Sequence, residues 1–504
     1  MRKIITLFIA FIPVMAMAQK IANPTPFANS ITPDDLKKHL YIVAGKEMEG
    51  RGTATEGQKK AAAYIENHFK SLGLLPGNKD SYQQIWPVYQ DSILRSGMEI
   101  NGKKFEADKD FAVNIASAYS ATMMGSEIVF AGYGISDSTR DDYKGVDAKG
   151  KIVLLLVGGP APAGGNRGRN AFAMQEAAMK NGAAAILLVQ TNFPRRAGSA
   201  VGVQTLTGFK RTIYPNTFNI SEQVAETIMG ADYAAAKEAI KTAAVPAKIY
   251  QANIMLDFSK TTLQTNSSNV LAVLEGTDKK DEYVFITAHY DHLGKRGDVI
   301  YYGADDDGSG TVGVLELAEA FAKAKAAGKG PRRTIVFMTV SGEERGLWGS
   351  SYYSDHPIFP LDKTTVDLNI DMIGRIDPER KIGDSTNYVY VVGDDKLSSD
   401  LRIISEAANK KYTKLELDYK FNDPNDRERI YFRSDHYNFA RKGVPIIFYF
   451  NGTHKDYHQP TDTPDKITYV QQAKRAKLVF YTAWEMANRN DMLKRDLKLE
   501  IPSR

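Results

Sequence analysis

The 504-residue sequence contains no cysteine. That absence excludes a disulfide-stapled secreted domain and also excludes a lipid attached to a cysteine behind an export signal. Stability then rests on a hydrophobic core, and on metal if any is bound. An excess of one charge is missing too: 65 Lys and Arg face 60 Asp and Glu, a formal net charge of +5. Without Arg2 and Lys3 it falls by two, to +3. With no long basic block, nucleic acid is excluded as the expected partner. Beyond the N-terminus no apolar run reaches membrane length, so no stable membrane insertion is expected. Internal repeats and long low-complexity segments are lacking as well.

With 43% hydrophobic and 25% charged residues, disordered and fibrous classes are excluded. The length exceeds one ordinary core, which predicts at least two domains. Residues 1–18 read as a signal peptide. Arg2 and Lys3 form the basic start, residues 4–14 the apolar stretch, and Ala16-Met17-Ala18 the small-residue cleavage site before Gln19. The expected location is exported, in a bacterial periplasm or secreted.

Within 19–109 the clearest element is a helix with Ala61, Ile65, Phe69 and Leu72 on one stripe, ended by Gly73 to Gly77. Over 110–258 short β-type runs (127–131, 152–157, 185–189) alternate with Gly-rich turns. One helix is expected over 171–181 and an irregular Gly/Pro/Ala loop over 158–168. This block reads as an inserted β-rich domain. The remainder, 259–504, repeats strand, loop and helix. Its apolar runs 284–288, 334–340, 366–370 and 446–450 suit strands covered on both faces, and 311–326 suits a helix. The fold class is α/β, a three-layer sandwich with a mostly parallel central sheet.

Ligands of such sheets bind beyond the carboxyl ends of the strands. His289 follows the first run, Glu343 and Glu344 follow the second across a Ser-Gly turn, and Asp371 follows the third. His458 lies in the loop after the fourth, and the triplet Asp305-Asp306-Asp307 precedes the 311–326 helix. Two histidines and three carboxylates are what two zinc ions need when one carboxylate bridges them. A glutamate adjacent to a ligand is then the natural base. His289-Tyr290-Asp291 adds an aspartate placed to fix the imidazole. Chemistry alone leaves open which member of the triplet binds. His292, His356, His436 and His454 default to surface or supporting roles, and Asp462 and Asp465 to turns.

Several motifs around these residues resemble one family. They are Thr-Ala-His289-Tyr-Asp291-His-Leu-Gly, Gly-Ala-Asp-Asp306-Asp-Gly-Ser-Gly, Ser-Gly-Glu343-Glu344-Arg-Gly, Asn-Ile-Asp371-Met-Ile-Gly and Tyr457-His458-Gln-Pro. The family is the two-zinc aminopeptidases, with bacterial leucyl aminopeptidases, aminopeptidase Y, glutamate carboxypeptidase and, more distantly, glutaminyl cyclases. The resemblance implies Asp306 as the bridging ligand, with a cis bond to Asp307. It implies one zinc on His289 and Asp371 and a second on Glu344 and His458. It further implies Asp291 orienting His289, Glu343 as general base, and a supporting role for Asp435. Gly132 to Ile135, 149–154 and 182–189 resemble a protease-associated domain. The implied substrates are peptides with a free N-terminus. Tyr457 is a candidate oxyanion partner because of its place beside His458. A glutaminyl cyclase and a carboxypeptidase or dipeptidase are the rivals on the same fold; Arg195, Arg196, Arg429 and Arg433 are the candidates for a carboxylate pocket, and the loop 420–432 for a pocket wall.

Overall fold

In the computed structural model, residues 22–116, 118–138, 140–158, 167–209, 212–423 and 425–499 are described. The expected signal peptide and most of the expected 158–168 loop lie outside these residues. The chain divides into two compact units, one made of residues up to Trp86 and from Ser267 onward, the other of Pro87–Asn266. The expected limits, 110 and 258, therefore miss by some twenty and eight residues. The reason is that the chain passes between units within two long strands, Gln83–Ile100 and Lys248–Leu274.

In the first unit the sheet is built from β1 (Lys248–Leu274, by its C-terminal part), β2 (Lys279–His289), β3 (Arg333–Val340), β4 (Thr364–Ile370), β5 (Tyr388–Val392), β6 (Glu416–Asp418) and β7 (Ile446–Phe450). Their spatial order is β6-β5-β7-β4-β2-β3-β1. Strands β3, β2, β4 and β7 are parallel neighbours, whereas β1 and β5 join antiparallel. Every residue of β3, β4, β5 and β7 is buried, as strands covered on both faces require.

Alternation along β2 divides the cover into two layers. Val284, Ile286 and Ala288 pack into one cluster with helices α1 (Pro33–Val43), α2 (Glu56–Ser71), α3 (Gly310–Ala326) and α4 (Tyr469–Asn488). Phe285 packs into another with Tyr353, Phe439 and Phe448. The stripe Ala61, Ile65 and Phe69 of α2 is fully buried, and Thr55 caps its start by accepting from the Gln58 N–H. Helix α1, not anticipated, has its own start signal: Thr32 accepts from the Asp35 N–H at 3.2 Å, and Pro33 follows.

The second unit has a sheet whose strands Ala121–Phe130, Ile152–Leu156, Ala185–Val189 and Asn216–Ile220 are parallel neighbours, flanked by antiparallel Lys248–Leu274 and Phe111–Val113. Helices Arg167–Lys180, Glu222–Met229 and Asp232–Ala239 accompany it. The first of these starts four residues before the expected position. Among the described residues no helix is long and apolar enough to cross a membrane.

Candidate active site

Strand termination delivers the site residues. β2 ends at His289, β3 ends at Val340 before the Ser341-Gly342 turn into Glu343–Arg345, and β4 ends at Ile370, next to Asp371. Gly342 and Gly346, at φ 80° and 104°, give that turn its left-handed corners. His458 sits in the loop beyond β7 at φ 57°.

The triplet before α3 resolves by hydrogen bonding. Asp305 Oδ1 accepts from the Gly374 N–H at 2.7 Å, and its Oδ2 lies 3.1 Å from His454 Nε2. Asp307 Oδ1 accepts from the N–H groups of Gly310 (2.8 Å) and Met372 (3.0 Å), and Oδ2 from that of His289. A Cβ at Gly310 would stand 2.4 Å from the Asp307 carboxylate, so only glycine allows this approach. Both flanking carboxylates are thus committed to other partners. Of the three, Asp306 is the one that turns toward His289 and His458, and the peptide bond between Asp306 and Asp307 is cis.

Asp306 faces two ways. Its Oδ1 lies 3.3 Å from His289 Nε2, which is 3.6 Å from Asp371 Oδ1 and 3.9 Å from Glu343 Oε2. Its Oδ2 lies 3.1 Å from His458 Nε2, itself 3.1 Å from Glu344 Oε2. His289, Asp306 and Asp371 form one trio able to hold a metal ion, and His292, Asp306 and Glu344 another. Four carboxylates crowded around largely buried histidines repel one another unless positive charge lies among them. His289 Nε2 and His292 Nε2 are buried without a hydrogen-bond partner. Buried polar atoms of these types, converging unpaired, suit divalent metal.

The field of the site shifts its ionisable groups. Burial pushes Glu343 well above the usual carboxylate range, the nearby Glu344, Asp371 and Asp435 push further, and His289 opposes them. Burial works against protonation of His458, yet hydrogen bonds to Asp306 and Glu344 push it up to about 10. Burial also raises Asp435 to about 7.

The expected His289–Asp291 hydrogen bond takes a different form. His289 Nδ1 bonds the Asp291 main-chain carbonyl at 3.1 Å, whereas the carboxylate stands 3.7 Å away. That carboxylate accepts instead from Thr53 Oγ1 (2.7 Å) and from the Glu343 N–H (3.2 Å). Asp371 is held by Ser434, whose hydroxyl donates to Oδ2 at 2.6 Å and accepts from Asn369. Asp435 is fully buried and accepts from the Ser350 hydroxyl.

One residue takes up the supporting role expected of it and another departs from its own. His292 is buried, with Nδ1 2.7 Å from Glu344 Oε1. Its position three residues beyond His289, past a strand end, was the available signal. Asp462 is no mere turn residue. Its carboxylate, raised to about 6 chiefly by burial, accepts from the N–H groups of Asp305 and Asp306. Arg51 was invisible to motif reasoning. Fully buried, it donates to the carbonyls of Val43, Tyr290, Tyr302 and Gly303, tying down the loops after His289 and before Asp306.

A cleft opens beside the cluster. Asp306, Glu343 and Asp371 form its acidic floor, and Met372, Ile430, Phe448 and Phe450 its apolar wall. Arg433 also lines it, donating to the Tyr457 hydroxyl at 3.0 Å, and the Tyr457 ring stacks on His458 at 3.9 Å. Among the described residues of the 420–432 loop, Ile430 lines this cleft. Of the other candidate arginines, Arg195 pairs with Asp108 and Arg429 lies over the Phe432 ring.

Residues 269–483 match the model of Peptidase family M28. Over 226 residues, 44% of this chain, the sequence is 30% identical to a probable leucine aminopeptidase of Trichophyton verrucosum and spans 57% of that protein. Over 462 residues (88% of this chain, 78% of the relative) it is 25% identical to leucine aminopeptidase 2 of Trichophyton rubrum. Among solved structures, an aminopeptidase from Aneurinibacillus sp. strain AM-1 aligns with TM-score 0.53 at 19% identity, covering 96% of this chain and 100% of that one. A likeness at that identity speaks to the fold. The family match thus covers residues 269–483, and the solved structure shares the fold.

Proposed function

We propose that the chain is an exported metallo-aminopeptidase that uses two zinc ions to remove N-terminal residues from peptides. The observation that carries this reading is the Asp306 carboxylate, with one oxygen toward His289 and the other toward His458. One zinc would be held by His289, Asp371 and Asp306, the other by Glu344, His458 and the same Asp306. His458 is preferred to His292 because its Nε2 is equidistant from oxygens of both Asp306 and Glu344, as a ligand beside them would be. His292 Nδ1 makes a single close contact, with Glu344, and steadies it. Bound zinc supplies a Lewis acid for the scissile carbonyl and makes water a nucleophile near neutral pH.

Glu343 is the general base. It lines the cleft, and its own N–H is pinned by Asp291. It takes one proton from water as the water oxygen bonds to the carbonyl carbon, and returns it to the leaving nitrogen as the C–N bond breaks. The acidic floor binds the substrate's free α-amino group, which limits cleavage to the terminal residue. The apolar wall favours an apolar first side chain. Tyr457, whose pKa burial raises further above neutrality, stays a hydrogen-bond donor and faces the developing oxyanion. Asp435 is a positioning residue through its neighbour Ser434. Residues 87–266 act as a protease-associated-type insert.

The test combines metal content with hydrolysis of amino-acid amides and N-blocked controls. Two zincs that Asp306→Asn loses together with activity, and cleavage of free-amine substrates only, support the reading. One zinc with cyclisation of N-terminal glutamine would replace it by a cyclase, and cutting of blocked substrates by a carboxypeptidase.

A further inference from the structure

Away from the Asp306 centre, helices α1, α2 and α3 bring together a second set of metal-type ligands. His39 comes from α1, His68 from α2 and Glu319 from α3, and one ligand atom of each lies within 4.8 Å of the others. The two imidazoles meet edge to face with centroids 4.7 Å apart. His39 Nδ1 bonds the Tyr64 hydroxyl at 2.6 Å, leaving Nε2 directed inward, the arrangement by which a second hydrogen bond fixes a metal-binding histidine. His68 Nε2 is buried and without a hydrogen-bond partner.

Glu316 stands beneath them. Its side chain is 1% exposed, its Oε1 lies 3.6 Å from His39 Nε2, and neither oxygen closes a hydrogen bond, although the Thr32 backbone lies close by. A buried carboxyl left unsatisfied in this way costs several kcal/mol, roughly, unless something pairs with it. Glu319 is only partly buried and bonds Lys323, whose side chain is 49% exposed and can swing aside. The mouth of the cluster is therefore open to an ion.

We propose that His39, His68 and Glu319, closed from below by Glu316, bind one further transition-metal dication of the zinc class, separate from the Asp306 centre. Two imidazoles with carboxylates suit zinc, nickel or cobalt and do not suit calcium, which takes oxygen donors alone. The ion would tie three helices of different origin in the chain to one point. This inference does not depend on the aminopeptidase reading.

The experiment uses the full chain and the double variant His289→Ala/Glu344→Ala, which cripples the first centre. Each is titrated with Zn(II) and with Co(II) in metal-buffered solution. The parent should bind one equivalent more than His68→Asn, with amide hydrolysis unchanged in the latter. In the double variant Co(II) should still give a visible d–d band, and Zn(II) should still raise Tm. Both effects should vanish when His68→Asn is added. Glu319→Gln, at a partly exposed position, should weaken Zn(II) binding in the double variant by about ten-fold or more, and reports on the site even if His68→Asn folds poorly. Equal metal equivalents in parent and His68→Asn, or unchanged affinity in Glu319→Gln, would overturn the proposal and leave a buried carboxyl that shares a proton with His39.

Discussion

The two histidine–carboxylate clusters of the first unit lie along one helix and are built on opposite plans. Asp306 immediately precedes α3, while Glu316 and Glu319 lie about two turns along it. The first cluster gathers residues from the ends of four strand–loop segments, and its groups are braced by neighbours such as Asp291, Ser434 and Asp462. The second gathers residues from the flanks of three helices, and its deepest member, Glu316, has no hydrogen bond. Strand ends focus polar groups at an edge and leave a cleft for a substrate. Helix flanks produce a small pocket suited at most to an ion. Similar residue types thus serve different ends according to the elements that carry them.

Substitutions can separate the two plans. The largest expected effect is Glu343→Gln, which should lower kcat by about 10²–10⁴-fold while leaving bound zinc unchanged. A fall in metal content would instead make Glu343 a ligand. Ser434→Ala removes the hydroxyl on Asp371 and should weaken zinc at one position by roughly 10–100-fold, readable by competition with a chelator. Zinc binding in the α1–α3 cluster should not change.

Asp367 offers a buried carboxyl outside both clusters. It accepts from Thr287 Oγ1 at 2.7 Å, and burial raises its pKa to about 8, with Asp435 adding to the rise. Because the folded pKa lies above the unfolded one, the folded chain holds a proton that the unfolded chain has lost between about pH 4 and 8. Its contribution to stability therefore falls as pH rises through that window. Asp367→Asn should flatten this slope and stabilise the chain at pH 8 relative to pH 4, by on the order of a few kcal/mol. Urea midpoints across pH measure it, and parallel slopes in parent and variant would reject the assignment. The smallest effect belongs to Thr32→Ala. Loss of the α1 cap should cost about 1 kcal/mol and loosen zinc at His39 without changing amide hydrolysis.

What the sequence disclosed follows the same division. His289, Asp306, Glu344, Asp371 and His458 adjoin apolar runs or glycine-rich turns, so local pattern located them, and the structure brings all five together. Choosing Asp306 within its triplet needed family resemblance; in the structure Asp305 and Asp307 are held by other hydrogen bonds and Asp306 faces His289 and His458. The roles of Thr53, Ser434 and Asp462 were not legible because each acts across a long stretch of chain on a partner that no local motif specifies. His39 and His68 escaped for another reason. A histidine on an amphipathic helix is ordinary, and only packing reveals that two of them face one glutamate. The unit boundaries were misplaced because continuous strands conceal them.

The Arg51 guanidinium has a practical consequence for anyone trimming this protein. A fragment cut to the family-matched segment, beginning at Asn269, would keep every proposed zinc ligand and lose both Arg51 and Thr53. The carbonyls of Tyr290, Tyr302 and Gly303 would lose a shared donor, and the Asp291 carboxylate would lose its hydroxyl partner. Such a fragment should be poorly soluble and inactive, however complete its motifs. The smallest working catalytic piece is therefore discontinuous in sequence, and domain-swapping or minimisation efforts should carry residues 22–86 along with the C-terminal half.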